Sequence, residues 1–204
     1  MNTEIGIFKQ IYLKPGIHVR SLSRELKIGI PSIKYGLKKL LSKNLIKPEK
    51  EGRNLKFYIN YKNNLVVPYL YNVEYSRLLE LPNNVQNALF HFLDYCRHKA
   101  PVLTLIFGSY ASGDYTKGSD LDVLIVYNEI DEKLSKWIEG IAKIFSNNHN
   151  VDFQPVYLTW EEFHRKLYNR TDDLMNRVRE DKILVSGIEW WVLLEGKCHW
   201  KERT

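Results

Sequence analysis

Residues 106–126 read IFGSYASGDYTKGSDLDVLIV, and this stretch decides the fold of the second half of the chain. An apolar run is followed by Gly-Ser at 108–109, and an Asp-x-Asp sequence at 120–122 leads into a second apolar run. Short apolar runs bounded by glycine and polar residues are typical of buried strands. The stretch therefore predicts a strand, a short helix that starts after the glycine, and a second strand of an α/β domain.

The two aspartates of this stretch have a spacing with chemical consequences. Asp120 and Asp122 are two residues apart where a strand begins, so we expect their side chains to point to the same face. Two carboxylates that close repel each other unless a cation lies between them. Carboxylate oxygens in this arrangement suit Mg²⁺, which also binds substrate phosphates. Gly108 allows the backbone to approach a phosphate closely, and Ser109 begins a helix whose donors face phosphate oxygens.

The combined pattern resembles the nucleotidyltransferase superfamily typified by DNA polymerase beta, and most closely its minimal members. The family signature is a strand, Gly-Ser at the head of a short helix, and Asp-x-Asp entering a second strand. The resemblance covers roughly residues 85–190. It implies an enzyme that moves a nucleoside monophosphate from an NTP, expected to be ATP, to a hydroxyl acceptor. Two Mg²⁺ ions would hold the attacking and leaving oxygens.

The family also uses a third carboxylate on a following strand, and Asp152 in the sequence VDFQPVYL fits that position. The resemblance implies that Asp152 ligates the catalytic metal and helps to deprotonate the acceptor hydroxyl. Taken alone, Asp152 is equally compatible with a solvated carboxylate at a strand end.

One position departs from the family pattern. Many minimal nucleotidyltransferases carry a basic residue three positions after the serine, where this chain has Ser112. Lys117 is the alternative source of positive charge for the triphosphate, although a lysine in such a loop is often only solvated. The predicted catalytic and metal-binding residues are thus Asp120, Asp122 and Asp152, and the predicted nucleotide-binding residues are Gly108, Ser109 and Lys117.

The N-terminal region shows a different pattern. Apolar residues recur at helical spacing in residues 4–13, 18–27 and 32–43, and two strand-like runs flank a charged turn between residues 45 and 59. Three helices followed by a hairpin predict a winged helix-turn-helix domain over residues 1–63. We expect residues 64–81 to form a connector with a short helix near 72–80.

The remaining residues, 82–204, are assigned to an α/β (α+β) nucleotidyltransferase domain with a mixed sheet. Further helices are expected over residues 83–98, 131–146 and 160–180, with a third strand over 151–158. We expect residues 183–194 to form an apolar end segment.

The charge is divided unevenly between these regions. Residues 1–63 contain 14 Lys and Arg against 4 Asp and Glu, which gives +10, whereas the remaining residues contain 16 against 20, which gives −4. A basic N-terminal part favours nucleic acid as its partner, although lysine-rich surfaces also simply aid solubility.

A helix-turn-helix places its second helix in the major groove, and a wing contacts phosphate or the minor groove. The candidates are mostly lysines, which act as point charges and position a protein without reading bases. A winged helix used for protein contact is the alternative. The predicted DNA-binding residues are Ser32, Lys34, Tyr35, Lys38, Lys39 and Lys43 on the third helix, with Lys50 and Arg53 on the hairpin.

Two functions remain open at this point. The first is a Mg²⁺-dependent enzyme that also binds double-stranded DNA, with a protein side chain, a small molecule or a nucleic-acid end as acceptor. Minimal members of the family often act in toxin–antitoxin pairs, so a protein acceptor or toxin–antitoxin partner fits the resemblance. The second is a DNA-binding regulator whose nucleotidyltransferase-like domain senses nucleotide or a partner without turnover. A homodimer is compatible with both.

The sequence also bears on location. The two cysteines, Cys96 and Cys198, form no paired metal or redox pattern, which suits free thiols in a reducing cytosol. No apolar run approaches the ~18 residues that span a membrane. We therefore expect a cytoplasmic protein without membrane contact.

Overall fold

A computed structural model describes residues 3–201 of the chain, which divide into two compact units. Within the described residues, one unit comprises residues 3–73 together with 191–201, and the other comprises residues 74–190. These bounds differ from the predicted ranges, because the N-terminal unit also takes in part of the predicted connector and the end of the chain.

The N-terminal unit contains the predicted three helices and hairpin, and adds a two-residue strand. The strand order is β1-β3-β2, and both pairings are antiparallel. The short strand lies beside the second hairpin strand, where Ile17 pairs with Phe57. The elements are α1 (Thr3–Leu13), β1 (Ile17–His18), α2 (Val19–Leu26), α3 (Ile30–Ser42), β2 (Ile46–Glu51) and β3 (Asn54–Ile59).

Local sequence explains where α3 begins and which face it buries. Pro31 lies in the first turn of the helix, where its missing N–H group needs no partner. Ile33, Leu37 and Leu40 recur at helical spacing and are buried. The charged residues of α3 therefore lie on the opposite, exposed face.

The predicted connector is mostly helical. The helix α4 (Val66–Leu78) begins six residues before the short helix expected at 72–80. The boundary between the two compact units falls inside it, between Val73 and Glu74.

The second unit is an α+β domain built on a mixed four-stranded sheet, which confirms this part of the predicted fold. The strand order is β6-β5-β4-β7, with β5 and β6 parallel and the other pairs antiparallel. The elements are α5 (Asn83–Cys96), a 3-10 turn (Arg97–Lys99), β4 (Leu103–Phe107), α6 (Ser109–Ser112), β5 (Leu121–Tyr127), α7 (Glu132–His149), β6 (Phe153–Thr159), α8 (Trp160–Leu167), α9 (Asp173–Glu180), β7 (Lys182–Ser186) and α10 (Ile188–Lys201). The last helix continues past Trp190 into the other compact unit.

One expectation for the C-terminal region was wrong, and another was incomplete. Residues 160–180 form two helices, because Asp172 accepts a hydrogen bond from the backbone N–H of Met175 and thereby starts a new helix. The apolar segment at 183–194 contains the edge strand β7, which pairs with β4, before α10 begins.

The central strands are buried on both faces. Every residue of β4 is buried, and all residues of β5 except Asp122 are buried. Helices α5 and α7 contribute Phe92 and Phe145 to the same core. A rigid sheet therefore carries the one partly exposed carboxylate of β5 at its end. Between residues 3 and 201, no helix combines the length and the apolar character needed to cross a membrane.

Candidate active site

The turn after β4 is shaped around a glycine. Gly108 has φ +71° and ψ −151°, a conformation that other residues rarely adopt. A Cβ atom added there would lie 2.4 Å from Oδ2 of Asp122. Glycine is therefore required twice, once by the backbone conformation and once because the Asp122 carboxylate lies directly against the turn.

Asp120 and Asp122 lie at the start of β5. Asp120 is exposed, while the Asp122 side chain is 19% exposed and pairs across the ladder with Phe107. Burial raises the pKa of Asp122, the neighbouring Arg177 opposes that rise, and the negative charge of Asp120 adds to it. A bound cation would stabilise the ionised form of Asp122 against the cost of its burial. It would also offset the repulsion between the two carboxylates.

Asp152 comes directly before β6, the parallel neighbour of β5. The backbone carbonyl of Asp152 accepts a hydrogen bond from the N–H of Leu121 at 2.6 Å, and Asp122 is in register with Gln154. Since side chains alternate along a strand, the register places Asp152 on the sheet face that carries Asp120 and Asp122.

The three carboxylates do not form a closed cluster. Across residues 3–201, no group of three or more His, Cys, Asp or Glu side chains lies close enough to share a metal ion. The Asp152 side chain is exposed and accepts a hydrogen bond from the Gln154 amide at 3.2 Å. The structure thus brings Asp120 and Asp122 together, whereas Asp152 shares their face without completing a three-ligand site.

The predicted nucleotide-binding residues fall into two places. Gly108 and Ser109 lie at the Asp122 end, where Ser109 is the first residue of α6. Lys117 is exposed and lines a cavity of about 980 Å³ together with Asp152, Tyr110 and Tyr115. The two tyrosine rings are stacked with their centroids 4.7 Å apart. Lys117 is therefore grouped with Asp152 and not with the Gly-Ser turn.

Sequence reasoning missed Arg177, which lies on α9. Its Nη2 donates a hydrogen bond to Oδ2 of Asp122 at 2.7 Å, and its guanidinium lies 5.0 Å from the centroid of the Phe107 ring. No local signal could have identified it, because 55 residues separate Arg177 from Asp122.

A second arginine, Arg77, connects the elements around the site by hydrogen bonds. Arg77 donates hydrogen bonds to the backbone carbonyl of Ala111 in α6 and to that of Lys182 at the start of β7. The buried Glu74 carboxylate accepts from the same guanidinium at 3.1 Å. Since β7 pairs with β4 at Phe107, Arg77 fixes the short helix against the strand that precedes Gly108.

Most of the predicted DNA-binding residues are available on the surface of the N-terminal unit. One of the lysines, Lys39, also stacks its ammonium group over the Tyr35 ring, 4.7 Å from the centroid. The exposed residues are Ser32, Lys34, Tyr35, Lys38 and Lys39 on α3, Lys50 in β2 and Arg53 in the hairpin turn.

Lys43 has a different environment. Its ammonium donates to Glu4 at 2.6 Å and to the Tyr69 hydroxyl at 2.9 Å, and Tyr69 donates in turn to the same Glu4 oxygen. Contact with the Glu4 carboxylate and Tyr69 raises the pKa of Lys43. The charge of Lys43 is thus compensated by Glu4 inside the unit. The prediction had instead treated Lys43 as a cation available to contact DNA.

Pairing of this kind recurs on the hairpin. Lys47 lies 3.2 Å from Glu49, and Lys56 pairs with Glu51. Part of the +10 charge of the N-terminal region is therefore neutralised locally. Exposed cations remain on α3, at the hairpin tip, and on α2 and its C-cap, where they are Arg20, Arg24 and Lys27.

Residues 89–185 match the family model of the nucleotidyltransferase domain. The matched range includes β4, the Gly-Ser turn, β5, β6 and α9, and so contains the predicted catalytic and nucleotide-binding residues and Arg177, whereas Arg77 precedes it. This part of the chain is a nucleotidyltransferase domain.

One similar protein is named as an HTH-type regulator. Over 58 residues, the chain is 33% identical to an uncharacterized HTH-type transcriptional regulator of Methanocaldococcus jannaschii. The alignment covers 28% of this chain and 15% of the relative, so only a small part of that protein is matched.

Proposed function

We propose that the protein is a magnesium-dependent nucleotidyltransferase, which moves a nucleoside monophosphate from an NTP to a hydroxyl acceptor, and that its N-terminal winged helix binds double-stranded DNA. The observation that carries the enzymatic part is the contact of Asp122 with the Gly108 turn, beside Asp120, inside the nucleotidyltransferase domain. This arrangement puts carboxylate oxygens next to a backbone turn that a phosphate can approach closely.

Asp120 and Asp122 fit magnesium by the chemistry of their donors. Both lie on one sheet face and are partly or fully exposed, and the charge of Asp120 makes the ionised form of Asp122 harder to hold without a cation. Asp152 approaches from the neighbouring strand on the same face. When bound, magnesium stabilises the negative charge that develops on the attacking and leaving oxygens.

The other residues of the site have separate roles in this proposal. Gly108 and Ser109 bind phosphate oxygens of the nucleotide through backbone and hydroxyl donors. Asp152 accepts the proton of the acceptor hydroxyl. Lys117, which shares the cavity of Asp152, supplies positive charge to the triphosphate. ATP is the expected donor. The acceptor is a protein side chain, as in toxin–antitoxin pairs, a small molecule or a nucleic-acid end.

The DNA-binding part rests on three features of the N-terminal unit. Three helices with a three-stranded sheet match the element order of a winged helix, the relative is named an HTH-type regulator, and α3 exposes cations along one face. Lysines contact phosphates without reading bases, so binding is expected to depend strongly on salt and weakly on sequence.

A regulator without turnover is the second candidate function. The observations that favour it are the pairing of Asp122 with Arg177 and the missing three-carboxylate cluster among the described residues. In that case, the domain senses a nucleotide or a partner protein and passes no group to an acceptor.

Labelled nucleotides distinguish the two candidates. The protein is incubated with Mg²⁺, a cell lysate and each of the four NTPs, labelled either at the α-phosphate or at the γ-phosphate. The proposal predicts that label from the α-phosphate, and not from the γ-phosphate, appears on one macromolecule. No transfer from either position, with nucleotide binding retained, would support the regulator instead.

A further inference from the structure

Arg177 is the cation that contacts the centre of the candidate site. Its Nη2 lies 2.7 Å from Oδ2 of Asp122, and a Cβ on Gly108 would lie 3.1 Å from the same nitrogen. The guanidinium also covers the ring of Phe107, the last residue of β4. The Arg177 guanidinium therefore lies beside both the Gly-Ser turn and the Asp122 carboxylate.

The guanidinium retains capacity for a second partner. Its one hydrogen bond within the described part of the chain goes to Asp122, and the side chain is 54% exposed. An arginine carries five N–H donors in a planar fork, which suits two oxygens of a phosphate. Several donors of Arg177 thus face solvent beside the proposed phosphate-binding turn.

The turn itself brings no positive charge. The helix α6 has the sequence SYAS, and its last residue, Ser112, stands where the family pattern often has a basic residue. Lys117 lies in the cavity with Asp152. Lys117 is thus placed for the part of the triphosphate near Asp152, and Arg177 on α9 is the cation beside Gly108 itself.

We propose that Arg177 has two alternating partners: it neutralises Asp122 in the metal-free protein, and it moves to the phosphate groups of the nucleotide when magnesium takes that carboxylate. This inference rests on the proposed function. Arg177 and the metal compete for the same oxygen, Oδ2 of Asp122. Arg177 therefore weakens the binding of metal alone, yet strengthens the binding of nucleotide together with metal.

The opposite signs of these two effects provide the test. Binding of Mn²⁺ to the full-length protein is measured by electron paramagnetic resonance without nucleotide, and binding of ATP is measured by calorimetry at saturating Mn²⁺. Arg177→Met should raise the affinity for Mn²⁺ alone several-fold, because the competing cation is gone. The same change should lower the affinity for ATP about tenfold or more, which is the expected loss of a charge-assisted hydrogen bond.

Two further variants control the test. Arg165→Met removes an exposed arginine from the neighbouring helix α8 and should change neither affinity. Arg177→Lys keeps the charge without the fork, and its ATP affinity should fall between those of the wild type and Arg177→Met. Urea unfolding of each variant verifies that the domain is folded.

Three results would overturn the inference. Arg177→Met could leave Mn²⁺ affinity unchanged or lower it, which excludes competition at Asp122. It could leave ATP affinity unchanged, which excludes the phosphate contact. If neither the wild type nor Arg177→Met binds Mn²⁺, competition between the metal and Arg177 is excluded as well. The proposed function fails separately, by the absence of α-phosphate transfer in the labelling experiment.

Discussion

The Gly108–Asp122 site and the basic face of α3 are both concentrations of charge, but they are held in opposite ways. Asp122 is carried by a buried strand, lies against a glycine that admits no side chain, and is paired with one arginine. Lys34 and Lys38 lie on the exposed side of α3, where a lysine side chain can adopt many rotamers. The first site fixes oxygen atoms at defined positions, whereas the second provides charge without fixed geometry.

This difference matches what each region is proposed to bind. Transfer at phosphorus needs ligand atoms held in place, because a displacement of ~1 Å from the productive geometry can cost about a hundredfold in rate. Phosphates along a DNA backbone are met by mobile point charges, and release of counterions provides most of the affinity. We therefore expect the activity to depend on the rigid placement of Asp122. We expect the DNA affinity to depend on the number of exposed cations on α3.

Gly108→Ala should lower both the activity and the stability of the rigid site. The new Cβ meets the Asp122 carboxylate at 2.4 Å in a backbone conformation that disfavours alanine. We expect transfer to fall about a hundredfold or more, and the free energy of unfolding to fall by more than about 2 kcal/mol. Transfer assays and urea unfolding measure the two quantities.

Gly113→Ala is the matched control for that change. Gly113 has φ +88°, but a Cβ there has no atom within 4 Å. Its cost is therefore backbone strain alone, roughly 1–2 kcal/mol, and transfer should remain near the wild-type rate. Equal losses in the two variants would mean that contact with Asp122 is unimportant.

Two lysines of the basic region should separate free charge from compensated charge. Lys38→Ala removes an exposed cation from α3 and should reduce the slope of log K against log salt by about 0.9. Lys43→Ala should leave that slope nearly unchanged and lower stability slightly, because Lys43 is bound to Glu4 and Tyr69. Fluorescence anisotropy on a DNA duplex gives both slopes, and a larger change for Lys43 would reverse the assignment.

The smallest predicted effect concerns pH. Hydrogen bonds from Lys43 and Tyr69 hold the pKa of Glu4 below its usual value of 4.5. Its contribution to stability is therefore complete above that value and is lost as the pH falls through the lower pKa of the folded state. Glu4→Gln should remove this part of the acid sensitivity, as measured by urea unfolding between pH 3 and pH 7.

Glu132→Gln provides the comparison for Glu4. Glu132 pairs with Lys136 on the surface of α7, and both side chains are highly exposed. Surface pairs of this kind contribute little, so the acid dependence of this variant should follow the wild type. If both variants behave alike, the Glu4 network does not stabilise the N-terminal unit.

The sequence predicted what depends on neighbours along the chain. Strand alternation placed Asp120 and Asp122 on one face, and the Gly-Ser turn after an apolar run located Gly108. Helical periodicity likewise placed the lysines of α3 on its exposed face. These features follow from local backbone geometry, which repeats every two residues in a strand or 3.6 in a helix.

Features that depend on distant residues were not accessible. The strand β7 is a short apolar run before an apolar helix, and periodicity cannot distinguish the two without knowledge of its partner β4. The pairs Arg177–Asp122 and Lys43–Glu4 join residues 55 and 39 positions apart. The sequence therefore located the carboxylates and the lysines, but not which charges are compensated.

Transfer of the α-phosphate by the Asp122→Asn variant is the most direct test of the central claim. The assay compares wild type, Asp122→Asn, and Asp94→Asn as a control, since Asp94 is an exposed aspartate on α5. Asp122→Asn should abolish Mg²⁺-dependent labelling of the acceptor while stability changes by no more than about 1 kcal/mol, and Asp94→Asn should retain full labelling. Undiminished labelling by Asp122→Asn would contradict the assignment of this carboxylate as the metal-binding centre of a nucleotidyltransferase.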